Sequence, residues 1–146
     1  MDTQIAIASD HAGYEMKLAI IQHLIDQGFS VEDLGTDSSA AVDYADFGHP
    51  LAEGVEKGIY HLGISLCGSG NGINMVTNKH QGIRGALCWN REAARLARSH
   101  NDANICSLPA RFISLDQAKE IIDIFLETPY EGGRHQKRIE KIPIHS

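Results

Sequence analysis

The chain has 146 residues, a formal net charge of −6, 42% hydrophobic residues and 22% charged residues. These values fit a single soluble globular domain with a core of its own, and the acidic balance argues against nucleic acid or an anionic membrane as the main partner. No apolar run approaches the ~18 residues of a membrane span, Met1-Asp2-Thr3-Gln4 lacks the basic stretch that opens a signal peptide, and three cysteines without framework spacing point to free thiols in a reducing cytoplasm.

In chain order, Ile5-Ala6-Ile7-Ala8 reads as a short apolar strand. Residues 14–27 carry helical spacing through Met16, Leu18, Ile20, Ile21, Leu24 and Ile25, and Gly28 stops that helix. Phe29 to Leu34 alternates as a strand, followed by a loop over residues 35–39. A helix is expected over 48–57, with Pro50 near its start where proline is tolerated. A strand at 61–66 is followed by a helix from about Gly72, a strand over 85–88 and a helix over 91–99. Asn104 to Leu108 forms a fifth strand, and Ser114 or Asp116 caps a long amphipathic helix through Leu126. Strands separated by single helices predict βαβ crossovers and a five-stranded parallel sheet in an α/β fold. No repeat, low-complexity segment or linker interrupts it.

Ligands of such open sheets bind at the carboxyl ends of the strands, near the switch point. Asp10-His11, Cys67 to Gly72 and Ser107 fall there. In Cys67-Gly68-Ser69-Gly70-Asn71-Gly72, the alternating glycines let the backbone turn with positive φ and leave amides bare at a helix start, which makes an anion nest. The same helix end favours the thiolate of Cys67 and makes it a candidate base. The loop is not a dinucleotide fingerprint, because it follows the third strand, has G-x-G-x-G spacing, and is followed about twenty residues on by Trp89-Asn90 where an acidic residue would be needed. It is not a P-loop, since Gly-Lys-Ser/Thr is missing. A tight structural turn is the bland alternative.

Cys88 and Cys106 fall inside strand patterns and read as small core residues. Asp10 suits a helix cap that also accepts a hydroxyl. His100 and Asn101 are expected in a polar turn between the fourth crossover helix and the fifth strand, on the edge of the subunit opposite Cys67. That placement predicts that a second subunit brings them to the site. His23, His49, His61, His80 and His145 show no partner pattern and read as structural. No H-x-x-x-H or C-x-x-C spacing suggests a metal. Arg91, Arg95 and Arg98 form a solvated or interface stripe. The tail from Tyr130 to Arg138 is basic in an acidic chain, and Arg134 and Arg138, four apart after Gly132-Gly133, present two guanidinium groups on one helix face to a bound anion.

Together these segments resemble the ribose-5-phosphate isomerase type B family, which includes the galactose-6-phosphate isomerase subunits. The resemblance runs from Ile5 to Arg138 and rests on Ser9-Asp10-His11-Ala12-Gly13, Asp43-Tyr44, the 67–72 loop, Asn78-Lys79 before Gly82-Ile83-Arg84, His100-Asn101-Asp102-Ala103-Asn104, and Tyr130-Glu131-Gly132-Gly133-Arg134-His135. It implies a Rossmann-like α/β/α sandwich of flavodoxin-like strand order, spanning residues 1–146 as one domain and assembled as homodimers or dimers of dimers. It further implies that segment 129–146 supplies phosphate-binding arginines and dimer contacts. The implied catalytic set is Cys67 as proton-transferring base, His100 for ring opening, and Ser69. The implied substrate contacts are Asp10, His11, Tyr44, Gly68, Gly70, Asn71, Gly72, Asn101, Arg111, Arg134 and Arg138. Some members use a glutamate six positions after the cysteine; Ile73 stands there, which assigns this chain to the cysteine branch. Ala45 departs from the proline that many members carry after Asp-Tyr, which bears on the shape around Tyr44.

The implied reaction is aldose–ketose isomerisation of ribose 5-phosphate through a cis-enediolate, in the non-oxidative pentose phosphate pathway, with no metal, redox cofactor or covalent intermediate. A six-carbon aldose phosphate such as allose or galactose 6-phosphate is the rival substrate. A non-catalytic sugar-phosphate-binding subunit is the rival class, and it would have less use for both Cys67 and His100.

Overall fold

The computed structural model describes residues 4–144; Met1–Thr3, His145 and Ser146 lie outside the described residues. Five strands, β1 (Gln4–Ser9), β2 (Ser30–Asp33), β3 (Leu62–Cys67), β4 (Gly85–Leu87) and β5 (Ile105–Pro109), form one parallel sheet in the order β2-β1-β3-β5-β4. The crossovers carry α1 (Tyr14–Asp26), α2 (Tyr44–Glu56), α3 (Asn71–Thr77) and α4 (Arg91–Asn101). The chain ends in α5 (Leu115–Glu127) and the short α6 (Gln136–Ile139). This is the flavodoxin-like α/β sandwich expected, with its switch point between β1 and β3. At the far side β5, not β4, lies beside β3, so the strand that is longer and wholly buried takes the interior position and the three-residue β4 takes the edge.

Strand alternation divides the core into two layers. Ile5, Ile7, Leu62, Ile64, Leu66, Cys106 and Leu108 face Ile20 and Leu24 of α1, Ala94 and Ala97 of α4, and Ile121, Ile122 and Phe125 of α5. The opposite face presents the smaller Ala6 and Ala8, with Ile105, to Leu51, Ala52 and Val55 of α2. Residues buried on both faces produce the near-continuous apolar runs seen in the sequence. On the second face a buried chain of hydroxyls crosses the sheet: Ser65 Oγ lies 2.6 Å from Ser107 Oγ, and Ser107 donates to Asn74 Oδ1 at 2.9 Å. That chain ties α3 to two strands behind the glycine loop.

Helix ends follow local chemistry. Gly28, at φ 92°, terminates α1. Ser114, of the two caps expected, makes a reciprocal capping box with Gln117. α2 starts at Tyr44, four residues before its expected start, so Pro50 lies inside the helix rather than in its first turn. Gly48 and Gly54 inside α2 obscure its start in the sequence; a side chain at Gly48 would meet Val76, and one at Gly54 the ring of Tyr60. Lys17 of α1 is fully buried, and its ammonium lies 2.6 Å from Asp33 Oδ1, which also accepts the Gly35 N–H at 2.9 Å. The loop so held bonds both backbone groups of Ser9, through Gly35 O at 2.8 Å and Thr36 N–H at 2.9 Å, and thereby fixes the chain immediately before Asp10.

Candidate active site

The carboxyl ends of β1, β3 and β5 converge, because Ser9 is paired with Leu66 and Cys67 with Pro109. Asp10 is buried, and its Oδ1 accepts from the amides of Ala12 at 2.9 Å and Gly13 at 3.2 Å. That is the cap its sequence position predicted. His11 stands at the rim, with Nδ1 accepting from the Val42 N–H at 3.2 Å, so its neutral ring carries the proton on Nε2. Residues His11, Val42, Asp43, Asp46 and Phe47 line an open cleft of about 510 Å³.

Cys67 ends β3 and is 4% exposed. Its carbonyl accepts from Ala110 N–H and the Gly68 carbonyl from Arg111 N–H, both at 3.0 Å, so the glycine loop is bonded to the turn after β5. Gly70, at φ 78°, is the one loop glycine in the left-handed region; Gly68 and Gly72 are required instead by close approach. A Cβ on Gly68 would lie 3.1 Å from Arg111 Nη1, and one on Gly72 would collide with the ring of Tyr44. This corrects the expectation that all three glycines turn the chain. They also give Arg111 and Tyr44 their places against the loop. Ser69 Oγ accepts the Asn71 N–H at 3.2 Å. Among the described residues the amides of Ser69 and Gly70 have no acceptor, so both remain open to an anion. Tyr44 is the first residue of α2 and Ala45 the second, a turn in which alanine extends the helix as well as proline would open it.

Cys88 and Cys106 are buried core thiols, and Cys88, ahead of burial itself, pushes the Cys106 thiol well above its ordinary range. Ile73 is fully buried and offers no proton-transferring group.

The second cluster lies elsewhere. His100 and Asn101 are the last two residues of α4, not a turn; Asp102, at φ 47°, is the left-handed cap that ends it. The helix continues because Arg98 and Arg84 gather the end: Arg98 Nη1 donates to Asp102 Oδ1 at 3.0 Å and to Ala103 O, and Arg84 donates to the Asn101 and Asp102 carbonyls. This end precedes β5, whereas Cys67 is level with Pro109 at the far end of β5, about 13 Å along the strand. The C-terminal segment packs here, Glu131 N–H donating to Ser99 O at 3.0 Å. Arg134 lies in a 3₁₀ turn and Arg138 in α6, both exposed. One chain therefore brings together Cys67, Ser69, Asn71, Asp10, His11, Tyr44 and Arg111, and separately His100, Asn101, Arg134 and Arg138.

Sequence reasoning missed His135, which is 6% exposed and stacked on His100 with ring centroids 4.3 Å apart. Its spacing to buried Ile139, i and i+4, was the available signal. His23 and His80, read as unpartnered, also have partners: His23 Nε2 is 2.7 Å from Asp123, and His80 Nε2 is 2.8 Å from His49 Nδ1. Both contacts lie between helices or their ends, which agrees with a structural reading. Among the described residues no helix is long and apolar enough to cross a membrane.

A parallel α/β sandwich with a thiol and a glycine nest at its switch point belongs to the broad class of α/β proteins that bind ligands at strand ends. The model of the Ribose/Galactose Isomerase family matches residues 5–142, and the chain belongs to that family. It is 42% identical over 139 residues to ribose-5-phosphate isomerase B of Escherichia coli, covering 95% of this chain and 93% of that protein. The crystal structure of the Thermotoga maritima ribose 5-phosphate isomerase superposes with a TM-score of 0.96 at 46% identity, covering 98% of this chain and 99% of the other. Ribose-5-phosphate isomerase B of Mycoplasma genitalium, crystallised with bound ribulose 5-phosphate, superposes with a TM-score of 0.93 at 43% identity, covering 97% and 95%.

Proposed function

We propose that this chain is an aldose–ketose isomerase that interconverts ribose 5-phosphate and ribulose 5-phosphate. The observation that carries this reading is the likeness, over 97% of the chain, to a protein crystallised with ribulose 5-phosphate. Local chemistry supports it. Cys67 takes the C2 proton of the open aldose and returns it to C1, passing through a cis-enediolate. The free amides of the 68–72 loop, with Ser69, stabilise the developing oxyanion, a contribution often worth ~3 kcal/mol per donor. His100 donates a proton to the ring oxygen as the C1–O bond breaks with its electron pair, while the C1 hydroxyl loses its proton to water. Asp10, Tyr44 and Asn101 hold hydroxyls; Arg111 lies over the loop; His11, Arg134 and Arg138 bind the phosphate.

The working unit in this reading is a homodimer with composite sites, Cys67 of one subunit facing His100 of the other. The two clusters lie at opposite ends of β5 within one chain, and exposed Trp89, Phe112 and Met75 border the Cys67 end. The reaction belongs to the non-oxidative pentose phosphate pathway in the cytoplasm, where three free thiols would persist. The test is an isomerase assay on ribose 5-phosphate beside allose 6-phosphate and galactose 6-phosphate. Turnover of the pentose ester at least tenfold faster than either hexose ester is the expected result; faster turnover of a hexose ester would reassign the substrate.

A further inference from the structure

His100 sits against two groups to which the reaction as described gives no part. His135 stacks on it with ring planes 17° apart, and Glu131 reaches both rings: Oε2 lies 4.0 Å from His100 Nε2, and Oε1 lies 3.5 Å from His135 Nε2. His100 is partly open, with 37% of its side chain exposed, whereas His135 is buried and its Nε2 has no hydrogen-bond partner. Asp102, the carboxylate that caps this end of α4, is engaged with Arg98 and Arg84. Glu131 is thus the carboxylate left for the two imidazoles among the described residues.

A buried nitrogen without a partner is unfavourable where packing alone is at stake, since an apolar ring of the same shape avoids the desolvation. Nor does the cluster suit a metal. A ligated ion lies close to the plane of each imidazole that binds it, and two nearly parallel stacked planes do not meet within ligand distance. What the arrangement does suit is holding one exposed ring still. Stacking fixes the plane of His100, and a single carboxylate balances its charge when it carries the proton it will donate.

We propose that Glu131 and His135 are positioning residues for ring opening, holding His100 in the orientation from which it protonates the sugar ring. The proposal rests on the isomerase reading above. It assigns the C-terminal segment a second task beside its arginines: the chain that carries the phosphate clamp also sets the ring-opening acid. Remote groups that hold a reacting group in place act on turnover more than on binding.

The test uses Glu131→Gln and His135→Ala in the full chain, with His135→Phe as the variant that keeps the stack. Glu131 is half exposed and its backbone bond to Ser99 survives the change; phenylalanine keeps the stacked ring and removes the unpartnered nitrogen. Glu131→Gln and His135→Ala should lower kcat for ribose 5-phosphate by ten- to a hundredfold with KM within about threefold, whereas His135→Phe should keep kcat within about threefold of wild type. The melting temperature of His135→Phe should equal or exceed that of wild type. Ribulose 5-phosphate provides the separating readout. Its C2 carbonyl could close a five-membered ring only through O5, which carries the phosphate, so it reaches Cys67 without ring opening. In D₂O, exchange of its C1 hydrogen should therefore persist within about threefold of wild type while net conversion falls. Exchange that falls in step with conversion, kcat within twofold of wild type in both Glu131→Gln and His135→Ala, or a loss in His135→Phe as large as that in His135→Ala, would overturn the proposal. A wild-type chain inert towards ribose 5-phosphate would overturn the isomerase reading and this proposal with it; an active wild type beside unaffected variants overturns this proposal alone.

Discussion

The carboxyl end of the sheet and the C-terminal end of α4 are built in opposite ways. At the first, Cys67 and Asp10 are buried and held by backbone hydrogen bonds from three strands and the loops after them. At the second, Arg134, Arg138 and Asn101 stand exposed on a helix end and a short C-terminal turn, braced chiefly by Arg84, Arg98 and the two stacked histidines. In the proposed reading the difference follows from what each end must do. A base and an oxyanion nest need fixed geometry and little water, whereas groups that capture a charged ester and open its ring must first be reachable. In that reading neither end is a complete site on its own.

The largest effect should come from the rigid end. Cys67→Ala removes one buried sulfur beside the nest, and kcat should fall 10²–10⁴-fold while a substrate analogue binds nearly as before. Loss of analogue binding in step with kcat would show that the thiol shapes the pocket and that the two ends differ less than described; a variant retaining a tenth of wild-type kcat would remove Cys67 as base.

The exposed end should respond through affinity. Arg134→Ala and Arg138→Ala each delete a charge-assisted contact worth ~1.5–3 kcal/mol, so KM for the phosphate ester should rise about ten- to a hundredfold. Unphosphorylated ribose, a poor substrate throughout, should scarcely notice either change. Equal losses in kcat/KM on the sugar and on its phosphate would make these arginines structural and erase the contrast.

Much of this was readable in the residues. The five strands and five of the helices follow from apolar runs and breakers, and the sheet's parallel sense follows from their alternation. Asp10 as cap and Cys67 at a strand end follow from position alone. What escaped depended on contacts distant in sequence. The true start of α2 at Tyr44 was masked by a stretch containing Gly48, Pro50 and Gly54, whose glycines are there for Val76 and Tyr60. His100 looked like a turn residue because Ser99 to Asp102 are all polar, yet Arg84, seventeen positions before Asn101, holds that turn helical. Two of three loop glycines proved to be spaces for Arg111 and Tyr44 rather than bends. His135 stayed hidden among charged neighbours because its burial depends on His100, thirty-five residues away.

The central claim is that the two ends meet only between subunits, and complementation tests it most directly. Cys67→Ala and His100→Ala chains, each inactive alone, should regain activity when mixed under conditions of subunit exchange. A heterodimer then holds one site with both groups intact, and a random mixture should recover about a quarter of wild-type activity, since half of its dimers carry one intact site out of two. No recovery, with exchange demonstrated by tagged subunits, would mean that each site draws Cys67 and His100 from the same chain.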